Sequence, residues 1–273
     1  MGDNYTLLNK GDYLFLERFL DSTKANLFFA QGVILVEGDS ENLLLPTIAN
    51  IIKRPFSAHG VSVVNLGNTA FLRYSEIFKR KHTEQGILNI PVSAITDSDI
   101  KPDIYKTKKS DTQTRSDLEE IKPIEQRRRE KKENIDGQNV KMFISPNWTL
   151  EYDIALGELQ KELLEAVLRA EKIGNSDVIG LTDKKKQQIA KDIEELYEIW
   201  DKNETTNEER AFYIYYDLVL KKGISKAIIA QCFAEILEGL NIENHEVIKS
   251  KILRDPQLEY IVQAIEHATS GGK

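Results

Sequence analysis

Short apolar runs alternate with amphipathic segments in the first half of the chain. Three runs rich in Val and Ile, at 33–36, 61–66 and 90–96, are each followed within two residues by Gly or Asp. Such runs predict strands that are buried on both faces, as in a parallel sheet. The segments between them, 41–53 and 71–78, have apolar residues at helical spacing. This alternation predicts an α/β fold with a mostly parallel, Rossmann-like sheet and right-handed crossovers.

The pattern changes after the third run. Residues 101–137 are poor in apolar side chains and rich in charge, which predicts a helical or mobile insertion on the rim of the sheet. A fourth strand is predicted at 140–144, and the apolar positions beyond it repeat almost entirely at helical spacing. We therefore predict an entry segment 1–30, an α/β domain 31–155 that contains the insertion, and an all-helical subdomain 156–273.

Composition excludes several classes of protein. The chain has 273 residues, a net charge of -7 and one cysteine, so it has no intrachain disulfide and no thiolate metal cluster. Cys232 has apolar neighbours at helical spacing, which predicts a buried structural thiol. No apolar stretch is long enough to cross a bilayer and no signal peptide is evident, so we expect a cytoplasmic protein without a membrane partner. The negative charge argues against coating nucleic acid by charge alone.

Carboxylates follow two of the predicted strands. Glu37 ends the first strand, with Glu41 one helical turn later, and Asp97 and Asp99 follow the third. The carboxyl ends of parallel strands meet at one sheet edge, so we expect these groups to lie together. Asp97 and Asp99 face the same way if the backbone stays extended. Crowded carboxylates repel one another, which indicates a divalent cation, and the all-oxygen set favours Mg²⁺ or Mn²⁺ over Zn²⁺.

An acidic edge of this kind suits phosphate chemistry. Two ions can hold the attacking and leaving oxygens of a phosphodiester. Glu151 or Asp153, in the first turn of the helix after the fourth strand, are candidate ligands for the second ion. The sequence contains no P-loop motif, and its four histidines lack the spacing of metal ligands.

The acidic motifs also carry a family resemblance. Three segments resemble the TOPRIM fold shared by topoisomerases, bacterial primases and several nucleases. They are Val36-Glu37-Gly38-Asp39-Ser40-Glu41, Asn65-Leu66-Gly67-Asn68 and Thr96-Asp97-Ser98-Asp99. More specifically, segments 28–46, 71–74 and 148–153 resemble the C-terminal nuclease half of OLD-family proteins, which include the Gabija nuclease subunit.

The resemblance implies a Mg²⁺-dependent DNA endonuclease or nickase that uses two metal ions, with a role in phage defence. Family members carry an N-terminal ABC-type ATPase, and residues 1–30 resemble its tail. We therefore expect this chain to be the C-terminal portion of a longer protein. Its expected partners are DNA, that ATPase domain and a second copy in a homodimer.

By position, the resemblance assigns one ion to Glu37, Asp97 and Asp99, and the other to Glu41 and Glu151. Which carboxylate binds which ion stays open.

The family also has a lysine late in its helical region that stabilises the transition state. Lys226 matches it best, which makes Glu37, Asp97 and Lys226 the expected catalytic residues. Lys221 and Lys222 are nearby rivals.

Two alternatives stand beside the nuclease hypothesis. One is a non-catalytic module that keeps the fold and binds nucleic acid or a partner ATPase. The crowded carboxylates argue against it, because they are electrostatically costly without a metal. The other is a different TOPRIM activity, such as primer synthesis or strand passage, for which the chain has no recognisable accompanying domain.

Overall fold

A computed structural model of the chain describes residues 5–19, 24–67, 71–108, 124–174 and 181–271. In these ranges no helix combines the length and the apolar character that a membrane span requires. The described residues form two compact units. The first draws on 1–96, 121–144 and 260–273, and the second on 97–120 and 145–259.

The elements follow one another in this order. They are α1 Lys10–Phe19, a 3-10 helix Lys24–Phe28, β1 Gly32–Val36, α2 Asp39–Ile51, α3 Phe56–His59, β2 Val61–Asn65, α4 Phe71–Glu76, a 3-10 helix Thr83–Gln85, β3 Val92–Thr96, α5 Asp103–Lys108, α6 Ile124–Ile135, β4 Val140–Ile144, α7 Leu150–Leu156, α8 Gln160–Gly174, α9 Asp183–Lys202, α10 Asn207–Phe212, a π-helix Tyr213–Leu220, α11 Lys226–Glu238, α12 Ile242–Arg254 and α13 Glu259–Ala268.

The first unit is built on a parallel sheet with the strand order β2-β1-β3-β4. In the register, Ile34 of β1 lies opposite Val63 of β2 and Ser93 of β3. The central strands β1 and β3 are buried at every position, which explains why neither contains a charged residue. The predicted α/β fold with a parallel sheet is confirmed.

The two faces of the sheet have different coverings. Alternate residues of one face, such as Leu35 and Ala94, join a core that contains side chains from α1, α4 and α6. On the other face Ser93 is fully buried and its hydroxyl donates to the carbonyl of Ala264 in α13, at 2.7 Å. A Cβ at Gly32 would collide with the carbonyl oxygen of Ala268, so glycine permits this close approach.

The second unit is helical, as predicted for the later part of the chain. It contains α5, α7 to α12 and the π-helix. Cys232 in α11 is 2% exposed, which confirms the predicted buried thiol. The predicted insertion 101–137 begins with α5 and ends with α6, and its residues 109–123 lie outside the described part of the chain. The predicted domain bounds stay a prediction.

Candidate active site

In the first unit, the carboxyl ends of two neighbouring strands place Glu37 beside Thr96. Glu37 directly follows β1, and the hydroxyl of Thr96, the last residue of β3, donates to its carboxylate. Glu41 lies in the first turn of α2 and is 8% exposed. A Cβ at Gly38 would lie 3.2 Å from Oε2 of Glu41, so the glycine leaves room for that carboxylate.

Helix α2 starts in an unexpected way. Because of their position, Ser40 or Asp39 are the expected N-cap residues, yet the N-cap is Gly38 and no side chain caps the helix. Instead, Asp39 accepts a hydrogen bond from Asn65 Nδ2 of β2 at 2.7 Å. The expected cap is therefore wrong, and Asp39 joins the polar groups at the carboxyl ends of the strands.

In the second unit, Asp97 contacts the start of α7. Its Oδ1 accepts a hydrogen bond from the backbone amide of Leu150 at 3.1 Å. This amide is one of the donors that a helix leaves unsatisfied at its N-terminus, where negative charge is favoured.

Asp99 does not continue the strand. Its φ is 58°, in the left-handed region, and its backbone amide donates to the carbonyl of Trp148 at 3.1 Å. The backbone therefore leaves the extended conformation at Asp99. An aspartate in this conformation is strained by about 1–2 kcal/mol.

Glu151 is held by two side chains at the start of α7. It is 5% exposed and forms an ion pair with Lys226 at 2.8 Å. The N-cap residue Thr149 accepts a hydrogen bond from the amide of Tyr152 and donates its own hydroxyl to Glu151 Oε2 at 3.1 Å. A buried carboxylate is thus paired with a cation and satisfied by a hydroxyl.

Lys226 keeps its charge in this environment. Burial acts to lower its pKa, but the neighbouring Glu151, Tyr215 and Asp97 together hold the pKa above its usual value. The rival lysines have other partners: Lys221 pairs with Asp217 at 2.6 Å and Lys222 with Glu171 at 2.7 Å. The geometry therefore favours Lys226 among the three.

Asp153 has a different setting from Glu151. It is fully buried, and its Oδ1 accepts a hydrogen bond from Asn147 Nδ2 at 2.8 Å. Asn147 in turn donates to Gln257 at 2.6 Å. This arrangement ties Asp153 to the turn before α7.

The donor types suit a hard divalent cation, since every candidate is a carboxylate. Across the part of the chain that the structure describes, however, no three Asp, Glu, His or Cys side chains are grouped as a metal site. Glu37, Asp97 and Glu151 instead have the protein partners given above.

Tyr215 is a site residue that sequence reasoning missed. It is 3% exposed, its ring centroid lies 5.3 Å from Lys226 Nζ, and it packs edge-on against Trp148. In the sequence it belongs to an apolar helical stretch, where a tyrosine is normally a core residue. The run Tyr213-Ile214-Tyr215-Tyr216 contains no local signal that singles out Tyr215.

Comparisons with known proteins bear on the first part of the chain. Residues 28–99 match the family model described as Overcoming lysogenization defect protein-like, TOPRIM domain. The solved C-terminal region of the Xanthomonas campestris pv. campestris OLD protein is similar, with 22% identity and a TM-score of 0.47, covering 89% of this chain and 94% of that one. The C-terminal region of the Burkholderia pseudomallei OLD protein has 21% identity and a TM-score of 0.42, covering 89% of this chain and 100% of that one. No curated protein matches.

The matched segment contains β1, β2 and β3 together with both acidic motifs. The resemblance stated from the sequence is thereby confirmed for this segment. Residues 28–99 are thus similar to the TOPRIM domain of OLD-like proteins.

Proposed function

We propose that this chain is a metal-dependent DNA endonuclease or nickase that hydrolyses phosphodiester bonds. The observation that carries the proposal is the group formed by Lys226, Glu151 and Asp97 at the start of α7. It combines a permanently charged cation with carboxylates of the kind that bind Mg²⁺. The OLD-like TOPRIM family is of the nuclease type, which supports this chemistry.

The proposed ligands are the carboxylates that follow the strands and begin α7. Glu37, Asp97 and Asp99 would hold one Mg²⁺ or Mn²⁺ ion, and Glu41 with Glu151 a second. Bound there, the ions would polarise the phosphate and lower the pKa of a water molecule. Asp153 is a weaker candidate, because Asn147 already holds it in the turn before α7.

Lys226 has a separate role in this proposal. Its ammonium group stays protonated near the scissile phosphate and stabilises the negative charge that grows in the transition state. Since its pKa lies above the usual value, this function does not depend on pH near neutrality.

A second candidate function is a non-catalytic module that binds nucleic acid or assembles with an ATPase. It is favoured by the protein partners that Glu37, Asp97 and Glu151 already have, because a satisfied carboxylate does not require a metal. DNA, a second copy of the chain and an ABC-type ATPase domain are the proposed partners, with phage defence in the cytoplasm as the setting.

Cleavage of supercoiled plasmid tests the two candidates. We expect nicking with Mg²⁺ or Mn²⁺, no nicking with a chelator, and a loss of at least about 100-fold in Glu37→Gln and Asp97→Asn. Glu158→Gln is the matched control, because it also neutralises one carboxylate but only at an exposed ion pair with Arg254. Nicking that persists with the chelator would overturn the metal mechanism. DNA binding without cleavage in any divalent metal would support the module instead.

A further inference from the structure

Two partly exposed tyrosines lie at the edge of a buried aromatic cluster in the second unit. Trp148, Phe212 and Tyr215 are buried and form the interior of this cluster. Tyr105 of α5 packs edge-on against Trp148, with centroids 5.4 Å apart, and against Phe212, with centroids 6.4 Å apart. Tyr216 of the π-helix lies 4.8 Å from Phe212. The cluster therefore fixes both tyrosines, while each of them remains partly exposed.

A lysine ammonium group lies over each of these two rings. Lys101 Nζ is 4.8 Å from the ring centroid of Tyr105, and Lys221 Nζ is 5.0 Å from that of Tyr216. Both lysines are exposed. Because an exposed lysine reaches a ring from the solvent side, its position identifies the ring face that is turned towards solvent. Each tyrosine thus presents one face to solvent, with a positive charge beside it.

The rings of Tyr105 and Tyr216 meet almost at a right angle. Their centroids are 5.3 Å apart and their planes are inclined by 87°. Two flat groups that stack on these faces are therefore turned away from each other. The bases of a duplex lie parallel in one continuous stack, whereas the bases of a single strand can separate and stack individually on aromatic side chains. The geometry favours a single strand.

The same aromatic cluster reaches the candidate active site. Trp148 packs against Tyr215 with centroids 4.8 Å apart, and the ring centroid of Tyr215 lies 5.3 Å from Lys226 Nζ. Tyr105 is thus connected to Lys226 through two buried rings. A strand held on the exposed tyrosines would lie near the lysine that we assign to the transition state.

We propose that Tyr105 and Tyr216 form a platform on which two unpaired bases of a DNA strand stack; this rests on the proposed function and specifies its substrate. Every base has a π-face, so the platform accepts a strand without regard to its sequence. The lysines move from the rings to the phosphates on either side. For Lys221 this means leaving Asp217, which costs little because the lysine side chain is 57% exposed and solvent screens the pair.

Binding of a fluorescently labelled thymidine strand of about 15 nucleotides tests the platform, with a chelator present to keep the strand intact. We expect Tyr105→Leu and Tyr216→Leu each to weaken binding by about 5-fold to 150-fold, because leucine is apolar but offers no face for stacking. Affinity for a duplex of the same length should change by less than about 2-fold. Tyr197→Leu is the matched control, since Tyr197 also has a cation over its ring, Arg210 at 5.7 Å, but packs against Trp200.

Substitution of a lysine should have a different effect from substitution of a tyrosine. Lys101→Gln should reduce the slope of log affinity against log salt concentration by about 0.7, because one phosphate contact is lost. Tyr105→Leu should weaken binding without changing that slope. An unchanged slope in Lys101→Gln would overturn the proposed contact of this lysine with phosphate.

An abasic strand of the same length separates stacking from a general structural effect. The wild type should bind it more weakly than the thymidine strand, by at least the factor that either tyrosine variant loses, and the double variant should show little of this difference. This comparison needs only the wild-type protein if a variant does not fold. Equal affinity of the wild type for both strands would overturn the inference, as would undiminished binding of the thymidine strand by folded Tyr105→Leu and Tyr216→Leu.

The proposed function fails through a different observation. If bases stack on the platform but no divalent metal supports nicking of plasmid, the strand-binding inference stands and the nuclease is overturned. If plasmid is nicked and the abasic and thymidine strands bind equally, the nuclease stands and the platform is overturned. The two failures are therefore distinguishable.

Discussion

The carboxylates at the strand ends of the first unit and Glu151 of the second unit are satisfied in different ways. In the first unit the partners are neutral: Thr96 donates to Glu37 and Asn65 donates to Asp39. In the second unit Glu151 has a cation, Lys226, as its partner. Neutral donors leave the negative charge intact, whereas the lysine cancels it. The first unit is therefore poised to attract a cation, and the second already contains one.

Removal of Lys226 should have the largest effect on this difference between the two units. Lys226→Met leaves Glu151 buried without its cation, so we expect a loss of about 2 kcal/mol, less than for a fully buried pair because the lysine side chain is 38% exposed. Nicking should fall by at least about 100-fold. Thermal unfolding with a chelator measures the stability, and the nicking assay measures the activity.

A first-unit variant is the matched control for that stability loss. Thr96→Val removes a neutral donor to Glu37 and should cost only about 1 kcal/mol. Added Mg²⁺ should stabilise Lys226→Met more than the wild type, because the ion can replace the missing ammonium charge. Equal losses in the two variants would mean that the charge of Lys226 contributes nothing.

The turns after the strands give a second contrast. Gly67, after β2, has a φ of 64° that costs a glycine little, while Asp99, after β3, has a φ of 58° that strains an aspartate. Asp99→Gly should relieve about 1–2 kcal/mol of strain, offset by about 0.5–1 kcal/mol of backbone entropy, for a net gain of up to about 1.5 kcal/mol. Cleavage should nevertheless fall if the carboxylate binds metal.

Urea unfolding and the nicking assay measure these opposite changes. Asp99→Ala is the control, because it removes the same carboxylate but keeps a Cβ and so should show no gain in stability. A stability gain with undiminished cleavage would remove Asp99 from the ligand set.

The smallest expected effect concerns pH in the first unit. His267 donates to the carbonyl of Asn139 at 3.0 Å, and burial lowers its pKa below the usual value. The unfolded chain then binds more protons than the folded chain between the two pKa values, so stability decreases as the pH falls below about 6.5. In His267→Gln the thermal midpoint should change less between pH 7 and pH 5 than it does in the wild type. The same pH dependence in both proteins would exclude His267 as its cause.

Lys226 gives the opposite sign in the second unit. Its folded pKa is raised, so its contribution is fully present below the unfolded value of about 10.4 and is lost only as the pH rises through the folded pKa. Lowering the pH therefore destabilises the first unit through His267. Lys226 in the second unit stays protonated, so its ion pair keeps the cation.

Local patterns were sufficient to predict the sheet. The strands were identifiable because β1 and β3 are buried on both faces and contain no charged residue. The glycine and the carboxylates that follow these strands then predicted an acidic edge of the sheet.

Contacts between distant residues explain what the sequence did not reveal. Asp39 does not cap α2, because its carboxylate accepts a hydrogen bond from Asn65, 26 residues away. The partner of Glu151 lies 75 residues further along the chain, and nothing local in the sequence indicates that contact. Tyr215 was missed for the same reason, since only the fold distinguishes a tyrosine whose ring contacts a lysine from one that fills a core.

The packing of α13 on the sheet has a consequence for the synthesis of the protein. Ser93 in β3 bonds to Ala264, and Gly32 at the start of β1 approaches Ala268, so the sheet depends on contacts that span most of the chain. Contacts of such long sequence separation form slowly. Until α13 has been synthesised, its part of the second face of the sheet stays uncovered, and an uncovered apolar face is where a nascent chain recruits chaperones or aggregates. The first unit therefore cannot complete its fold before α13 is made.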